Sequence, residues 1–413
     1  MSKISLFITK YWQPITLILL AITSKFVGFL RNAFIAYYFG TSPESDLLGL
    51  LLLPTDFVTA YLINQTIITS LTIFFGRSSE GKRDIFLRTF HFYRVILILA
   101  SVILGVVMVT AYPHIPWYYS VLAATPGVFY GMAGIIQSYL NYNRVFLWPG
   151  AQELIAHVFL LVGVVIAWKY GIFWYVVVML GTGILRVGIL LPDLRKFLKG
   201  KQWVRELFAF QKVRFEPKLL WYISPIVLTF ILSGIPNFVI LSKLFSAGEG
   251  YIAAHNYANK IIGLFNPIVV IPLTTYLIPT MQRWIEEKKS ITTVNTAVFL
   301  LIGGLSLVSA VVLVVAPNFI ISLIYARGSF ATDSTELTGN FLRFQAFAMV
   351  GYALMYYLLQ LTLLQGNMRK LILSFVVGTL VILFLLAILP FAPYISVGIS
   401  LTIGVMVSVL MLL

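Results

Sequence analysis

The sequence predicts an all-α integral membrane protein, with about twelve transmembrane helices in two parallel six-helix lobes around a central cavity. Three observations carry that prediction. Of 413 residues, 60% are hydrophobic and only 10% charged, where soluble domains run nearer one half and one quarter. Apolar runs of about 20 residues, long enough to cross a bilayer, recur along the whole chain. The basic residues that separate them gather on alternate loops, as the positive-inside rule requires of a multi-pass protein.

The apolar runs fall at 13–39, 46–76, 90–112, 116–141, 146–168, 171–194, 219–242, 250–282, 293–316, 337–365, 371–390 and 393–413. Helices are the natural reading, because lipid offers no partner to open backbone groups. The unbroken runs also lack the alternation of barrel strands. The first run is retained as a span rather than cleaved as a signal, since Lys25 and a further apolar turn follow it with no small-residue cleavage site. With the N-terminus placed in the cytoplasm, 20 of the 29 lysines and arginines lie on inner segments, and the outer loops hold only Lys169, Lys243 and Arg327. That asymmetry sets both the parity of the spans and their orientation. It also accounts for the net charge of +15 without invoking nucleic acid.

The densest basic stretch, residues 195–218, divides the chain into an N-terminal lobe (1–194) and a C-terminal lobe (219–413). Within this linker, KQWVRELFAFQKVRFE mixes aromatic and basic residues in the manner of an amphipathic helix lying on the anionic lipids of the inner leaflet. The two halves echo each other. In each, a span ends in a short Gly/Ser-containing outer loop and leads into a long span broken by proline, Pro54 in one half and Pro267 and Pro272 in the other. Six spans per half give both halves the same orientation, the arrangement of parallel repeats.

Charges inside spans single out candidate functional residues, because a cation at a helix centre costs roughly 2.5–3.5 kcal/mol on insertion scales. Lys25 and Arg31 lie in the first span and Lys260 in the eighth. Lys25 has Asp56 or Glu153 as a conceivable ion-pair partner. Arg94 and Arg186 stand near the inner boundary, close enough to snorkel. Among acids, Asp46 opens the second span, where a carboxylate suits either a helix cap or a gate. Asp56 follows Pro54 and suits a gate, a salt bridge or backbone groups freed by the kink. Glu153 and His157 are four apart, hence on one face; they suit an ion-coupling site or a plain neighbour hydrogen bond. Intramembrane cations outnumber carboxylates, which favours an anionic substrate. The chain has no cysteine and four histidines without metal-ligand spacing. It carries no Walker A, HExxH or GxSxG motif. No catalytic residue, cofactor or metal is therefore assigned, and the composition points to a transporter rather than an enzyme.

Three stretches carry a family resemblance: SKFVGFLRNAFIAYYFGTSPESDLLGLLLLPTDF from Ser24, AAHNYANKIIGLFNPIVVIPLTTYLIPTMQR at 253–283, and IYARGSFATDSTELTGNFLRFQAFAMVGYAL at 324–354. They resemble the first two spans, the eighth span and the approach to the tenth span of the MurJ (MviN) lipid II flippases, of the multidrug/oligosaccharidyl-lipid/polysaccharide exporter superfamily. The resemblance implies a flippase of the bacterial inner membrane. It would move an undecaprenyl-pyrophosphate-linked saccharide, lipid II by family default, to the outer leaflet by alternating access. It implies that Lys25, Arg31 and Lys260 stand where the family has diphosphate-binding arginines, and that Asp46 is the family's entrance aspartate. Val58, Thr59 and Gly263 stand where the family carries charge. An O-antigen, capsule or exopolysaccharide precursor is the alternative cargo, and a cation-coupled multidrug antiporter the alternative activity. Membrane potential, H+ or Na+ would supply the bias. If the orientation is right, a phosphatase reporter active only outside the cytoplasm is silent when fused after Arg205 and active after Ala247; the reverse pattern would refute it.

Overall fold

The computed structural model describes residues 3–63, 67–68, 71–72, 74–75, 81–198, 203–208, 217–270, 273–274, 292–365 and 367–413. Within them the protein is helical throughout: α1 Lys3–Phe39, α2 Pro43–Phe57, α3 Lys82–Ala111, α4 Trp117–Tyr142, α5 Leu147–Tyr170, α6 Ile172–Phe197, α7 Trp203–Phe208, α8 Pro217–Ala247, α9 Tyr251–Gly263, α10 Thr292–Val315, α11 Pro317–Tyr325, α12 Thr332–Gln365, α13 Met368–Ile388 and α14 Pro393–Leu412. Nine stretches among the described residues are long and apolar enough to cross a membrane. The run 13–39 is part of the continuous helix α1. The runs at 46–76 and 250–282 are interrupted instead: α2 passes into a π-helical turn at Val58–Leu62, and α9 is followed by another at Asn266–Val270. Proline explains both, because Pro54 and Pro267 lack the N–H that would close the ladder and their rings crowd the preceding turn. Pro272 and the remainder of 275–282 lie outside the described residues.

Two compact units emerge. The first comprises Met1–Ile35 and Leu50–Val227; the second comprises Ala36–Gly49 and Leu228–Leu413. In the first, α4 packs on both α3 and α6, and α5 packs on α6. Helix α4 can serve as a hub because Gly127, Gly131 and Gly134 form a side-chain-free face at helical spacing. Val58 fills the space beside Gly127, Leu97 that beside Gly131 and Ile63 that beside Gly134. In the second unit α12 is the hub, contacting α9, α10, α11 and α14. The α13–α14 crossing is a close one, with a Cβ on Gly378 falling 2.8 Å from the Gly404 carbonyl oxygen and one on Gly404 falling 2.9 Å from that of Gly378. Large apolar side chains such as Val102, Leu300, Val308 and Leu380 are exposed on these helices. Lipid is the medium in which such a surface is stable.

The central linker differs from a free surface helix. Its described part, α7, is six residues long and packs on α3. Arg83 pairs with Glu206, and Arg94 donates from Nη1 to the Leu207 carbonyl at 3.2 Å. Arg94 therefore does not snorkel; it is 6% exposed, because the chain itself brings a carbonyl to it. Residues 199–202 and 209–216 lie outside the described set. Arg186 likewise turns inward, lying 4.5 Å above the Tyr130 ring, where a cation–π contact partly replaces its lost hydration. The glycine crossings give a direct test. Gly378→Val is expected to cost about 1–3 kcal/mol and lower the melting temperature in detergent, whereas Gly181→Ala, with nothing within 4 Å of its Cβ, leaves it unchanged.

Candidate functional site

Helix α1 presents Ser24, Gly28, Arg31 and Ile35 along one stripe at helical spacing, and Ser24, Arg31 and Ile35 are all buried. Lys25 stands at the edge of that stripe. Its ammonium meets the Glu153 carboxylate of α5 at 2.7 Å. His157, one turn further along α5, has Nε2 3.8 Å from the same carboxylate oxygen. The His157 ring lies against Gly28, where a Cβ would stand 3.2 Å from Nε2. Absence of a side chain at Gly28 thus lets α5 bring both residues onto α1. Of the two acids that Lys25 had in sequence, Glu153 is the partner. Asp56 is exposed and forms no ion pair among the described residues.

The pair is not sealed in. The Lys25 and Glu153 side chains are 54% and 41% exposed, so a ligand could reach the ammonium. Arg31, by contrast, is 8% exposed and its Nε has no hydrogen-bond partner. The guanidinium lies within electrostatic reach of Tyr130, His157 and Tyr175. The Tyr175 hydroxyl is also buried without a partner. Gln152 completes the polar interior by donating to Gln137 Oε1 at 2.8 Å, while Arg186 Nε donates to Gln152 Oε1 at 3.4 Å. The first unit thus brings Lys25, Arg31, Glu153 and His157 together. Tyr130, Tyr175 and Gln152 were missed in sequence, because an aromatic or amide in a span reads as ordinary packing until a cation is placed beside it.

In the second unit the segment Ala36–Gly49 is held by polar contacts. Asp46, 7% exposed, accepts hydrogen bonds from the backbone N–H groups of Gly250 at 2.6 Å and Ala253 at 2.7 Å. A gate salt bridge is not what this carboxylate makes: it caps the N-terminus of α9, whose first N–H groups have no intrahelical acceptor. Tyr257 donates to the Gly40 carbonyl at 2.8 Å and shares a hydrogen bond with Ser45 at 2.9 Å. Ser329 N–H donates to the Tyr37 carbonyl at 2.8 Å. Gly250 is required here on two counts, a φ of +82° and a Cβ position only 2.5 Å from the Thr41 carbonyl oxygen.

Lys260 lies in the last turn of α9 and is exposed. Its neighbour His255 is 1% exposed. One ring nitrogen meets the Asn259 amide and the other the Gln345 amide, both at 2.8 Å, which ties α9 to α12. That histidine is structural.

The Asp46 cap generates a test on stability. Asp46→Ala, which strips both acceptors, is expected to destabilise the second unit by about 1–2 kcal/mol, and Asp46→Asn, keeping one oxygen, by less. Thermal unfolding in detergent measures both; an unchanged Asp46→Ala midpoint would remove the cap from the account.

The structure is similar to that of a lipid II flippase MurJ in an inward closed conformation, with a TM-score of 0.79 and 18% identity over 96% of this chain and 86% of that one. It is also similar to an inward-facing multidrug resistance MATE transporter of the MOP superfamily (TM-score 0.67, 12% identity, 93% and 92% covered). A MATE transporter of Vibrio cholerae in the bent form is a more distant likeness (TM-score 0.55, 14% identity, 97% and 94% covered). At these identities the likenesses speak for the all-α transporter fold alone. No curated protein matches the chain in sequence. The sequence profile of the lipid II flippase MurJ matches residues 35–413, and the chain belongs to that family of membrane transporters.

Proposed function

We propose that the protein flips an undecaprenyl-pyrophosphate-linked saccharide, lipid II by family default, from the inner to the outer leaflet of the bacterial cytoplasmic membrane. The observation that carries this reading is Arg31, a cation buried to 8% exposure in an apolar helix, with Nε unpartnered. An anion is the natural remedy for such a charge, and a diphosphate supplies several charge-assisted acceptors in one group. Lys25 and Lys260, both exposed enough to be reached, are the other candidate contacts. Lysine serves here as a point charge without the fork of arginine. Asp46 and Asp56 belong to the gating elements in this reading, Asp46 by holding Ala36–Gly49 against the start of α9. The headgroup site would be exposed to one membrane face and then the other, with the N-terminus in the cytoplasm. Membrane potential, H+ or Na+ would bias the cycle, Glu153 and His157 being the groups for an ion, and anionic inner-leaflet lipids would meet the basic linker.

A different lipid-linked glycan, such as an O-antigen, capsule or exopolysaccharide precursor, is supported by one local feature. The π-helical turn after α2 carries Val58 and Thr59, positions without a cation to add to the headgroup site.

Vesicles reconstituted with the protein distinguish these cargoes. Exposure of the lipid II headgroup on the far leaflet is expected to exceed that of the other lipid-linked glycans, and Lys25→Ala with Arg31→Ala to reduce it by about tenfold or more. Exposure of only a surface-glycan precursor supports the second cargo. Wild-type rates in the double variant would overturn diphosphate recognition by these side chains.

A further inference from the structure

We infer that Glu153 is an internal competitor of the translocated anion: its carboxylate holds the Lys25 ammonium between cycles and displaces the headgroup at the release step. The inference rests on the flippase reading above and deepens it.

The geometry is that of a contested cation. Lys25 donates to Glu153 Oε1 at 2.7 Å, a full-strength charge-assisted contact. Yet the two side chains are 54% and 41% exposed, which leaves room at the ammonium for a second anion. A lysine has three donors on one small head. It can turn from carboxylate to phosphate by rotation about its own stem, whereas a bidentate arginine pair would have to be broken as a unit. Substituting lysine at this position therefore makes the exchange easier.

Glu153 is not stranded when Lys25 turns away. His157 Nε2 is 3.8 Å from the same oxygen and one turn along the same helix. Its ring lies against Gly28 of α1; at 3.8 Å from the carboxylate oxygen it is beyond hydrogen-bond length, and a small shift of the carboxylate toward it would close the contact once Lys25 turns away. The surroundings keep the carboxylate committed to these two partners. Arg186 of α6 lies over Tyr130 and reaches Gln152, and among the described residues Glu153 has no ion-pair partner besides Lys25 and His157. Arg31 of α1 acts on His157 and forms no ion pair with Glu153 among the described residues.

The functional consequence follows from differential binding. A headgroup bound by uncompensated cations would be captured tightly on one side and released slowly on the other. An acid already in place weakens capture and returns as soon as the headgroup begins to leave. Removing it should tighten binding and slow turnover together. A salt bridge that merely steadies the fold would do neither.

The test measures binding of farnesyl diphosphate to the purified full-length protein in lipid nanodiscs, and transport in proteoliposomes as a function of lipid-linked substrate. Glu153→Gln is expected to bind the probe about tenfold more tightly, with both KM and kcat lowered. Glu153→Asp, which keeps the charge on a shorter stem, should give an intermediate shift and remains informative if Glu153→Gln folds poorly. Lys25→Ala should weaken binding, and adding Glu153→Gln to it should restore none of the gain, because the competitor acts only through Lys25. If Lys25→Ala weakens binding but Glu153→Gln and Glu153→Asp leave affinity unchanged or lower it, the competition is overturned and the flippase reading stands. If the wild type and both Glu153 variants all fail to bind the diphosphate, the headgroup reading and this inference fall together.

Discussion

A charged side chain in a helix surrounded by hydrocarbon must find a partner, because lipid supplies neither dielectric screening nor hydrogen bonds. The protein meets that constraint in several ways. Arg94 is met by the carbonyl of Leu207, carried to it by a short linker helix. Arg186 lies over an aromatic ring. Lys25 is joined to an acid on a neighbouring span. Arg31 is 8% exposed, and its Nε, like that of Arg94, has no hydrogen-bond partner. The buried and half-buried cations of the first unit thus differ in how far the fold itself satisfies them.

The same economy governs the backbone. Helix α2 and the segment after α9 open into π-helical turns where proline removes a ladder hydrogen bond. Such turns are local weak points in a helix ladder. Asp46 acts as an opposing restraint, tying the segment after α1 to the first N–H groups of α9 with two short hydrogen bonds. A cap made by a residue distant in sequence couples two pieces of chain that local helix propensity would leave independent.

The family profile matches residues 35–413, and the fold is shared with a solved structure at 18% sequence identity; lipid-facing positions can accept many apolar side chains, whereas positions of close helix approach and buried charge admit few. The glycines of α4 and the α13–α14 crossing are fixed by contact distance. The charged positions of α1 are fixed by energy. Three short stretches were accordingly enough for the resemblance to be seen in a chain whose remaining helices look like any apolar span.

The sequence by itself determined the membrane class, the near-count of spans, the places where two of them break and the short roster of intramembrane charges. Each of these depends on a local property: length of an apolar run, a proline, a charge in oil. It did not determine which acid meets Lys25, that Asp46 caps a helix 200 residues away, that α7 covers Arg94, or that Tyr130, Tyr175 and Gln152 line the polar interior. Those facts depend on how helices rotate and approach one another. A rotation of one helix by a single residue carries a side chain about 100° around the axis, from lipid to interior, with no change in composition. Glycine at positions such as 28 then decides how near two spans come, and so whether an ammonium and a carboxylate, each costly alone, are brought within 2.7 Å.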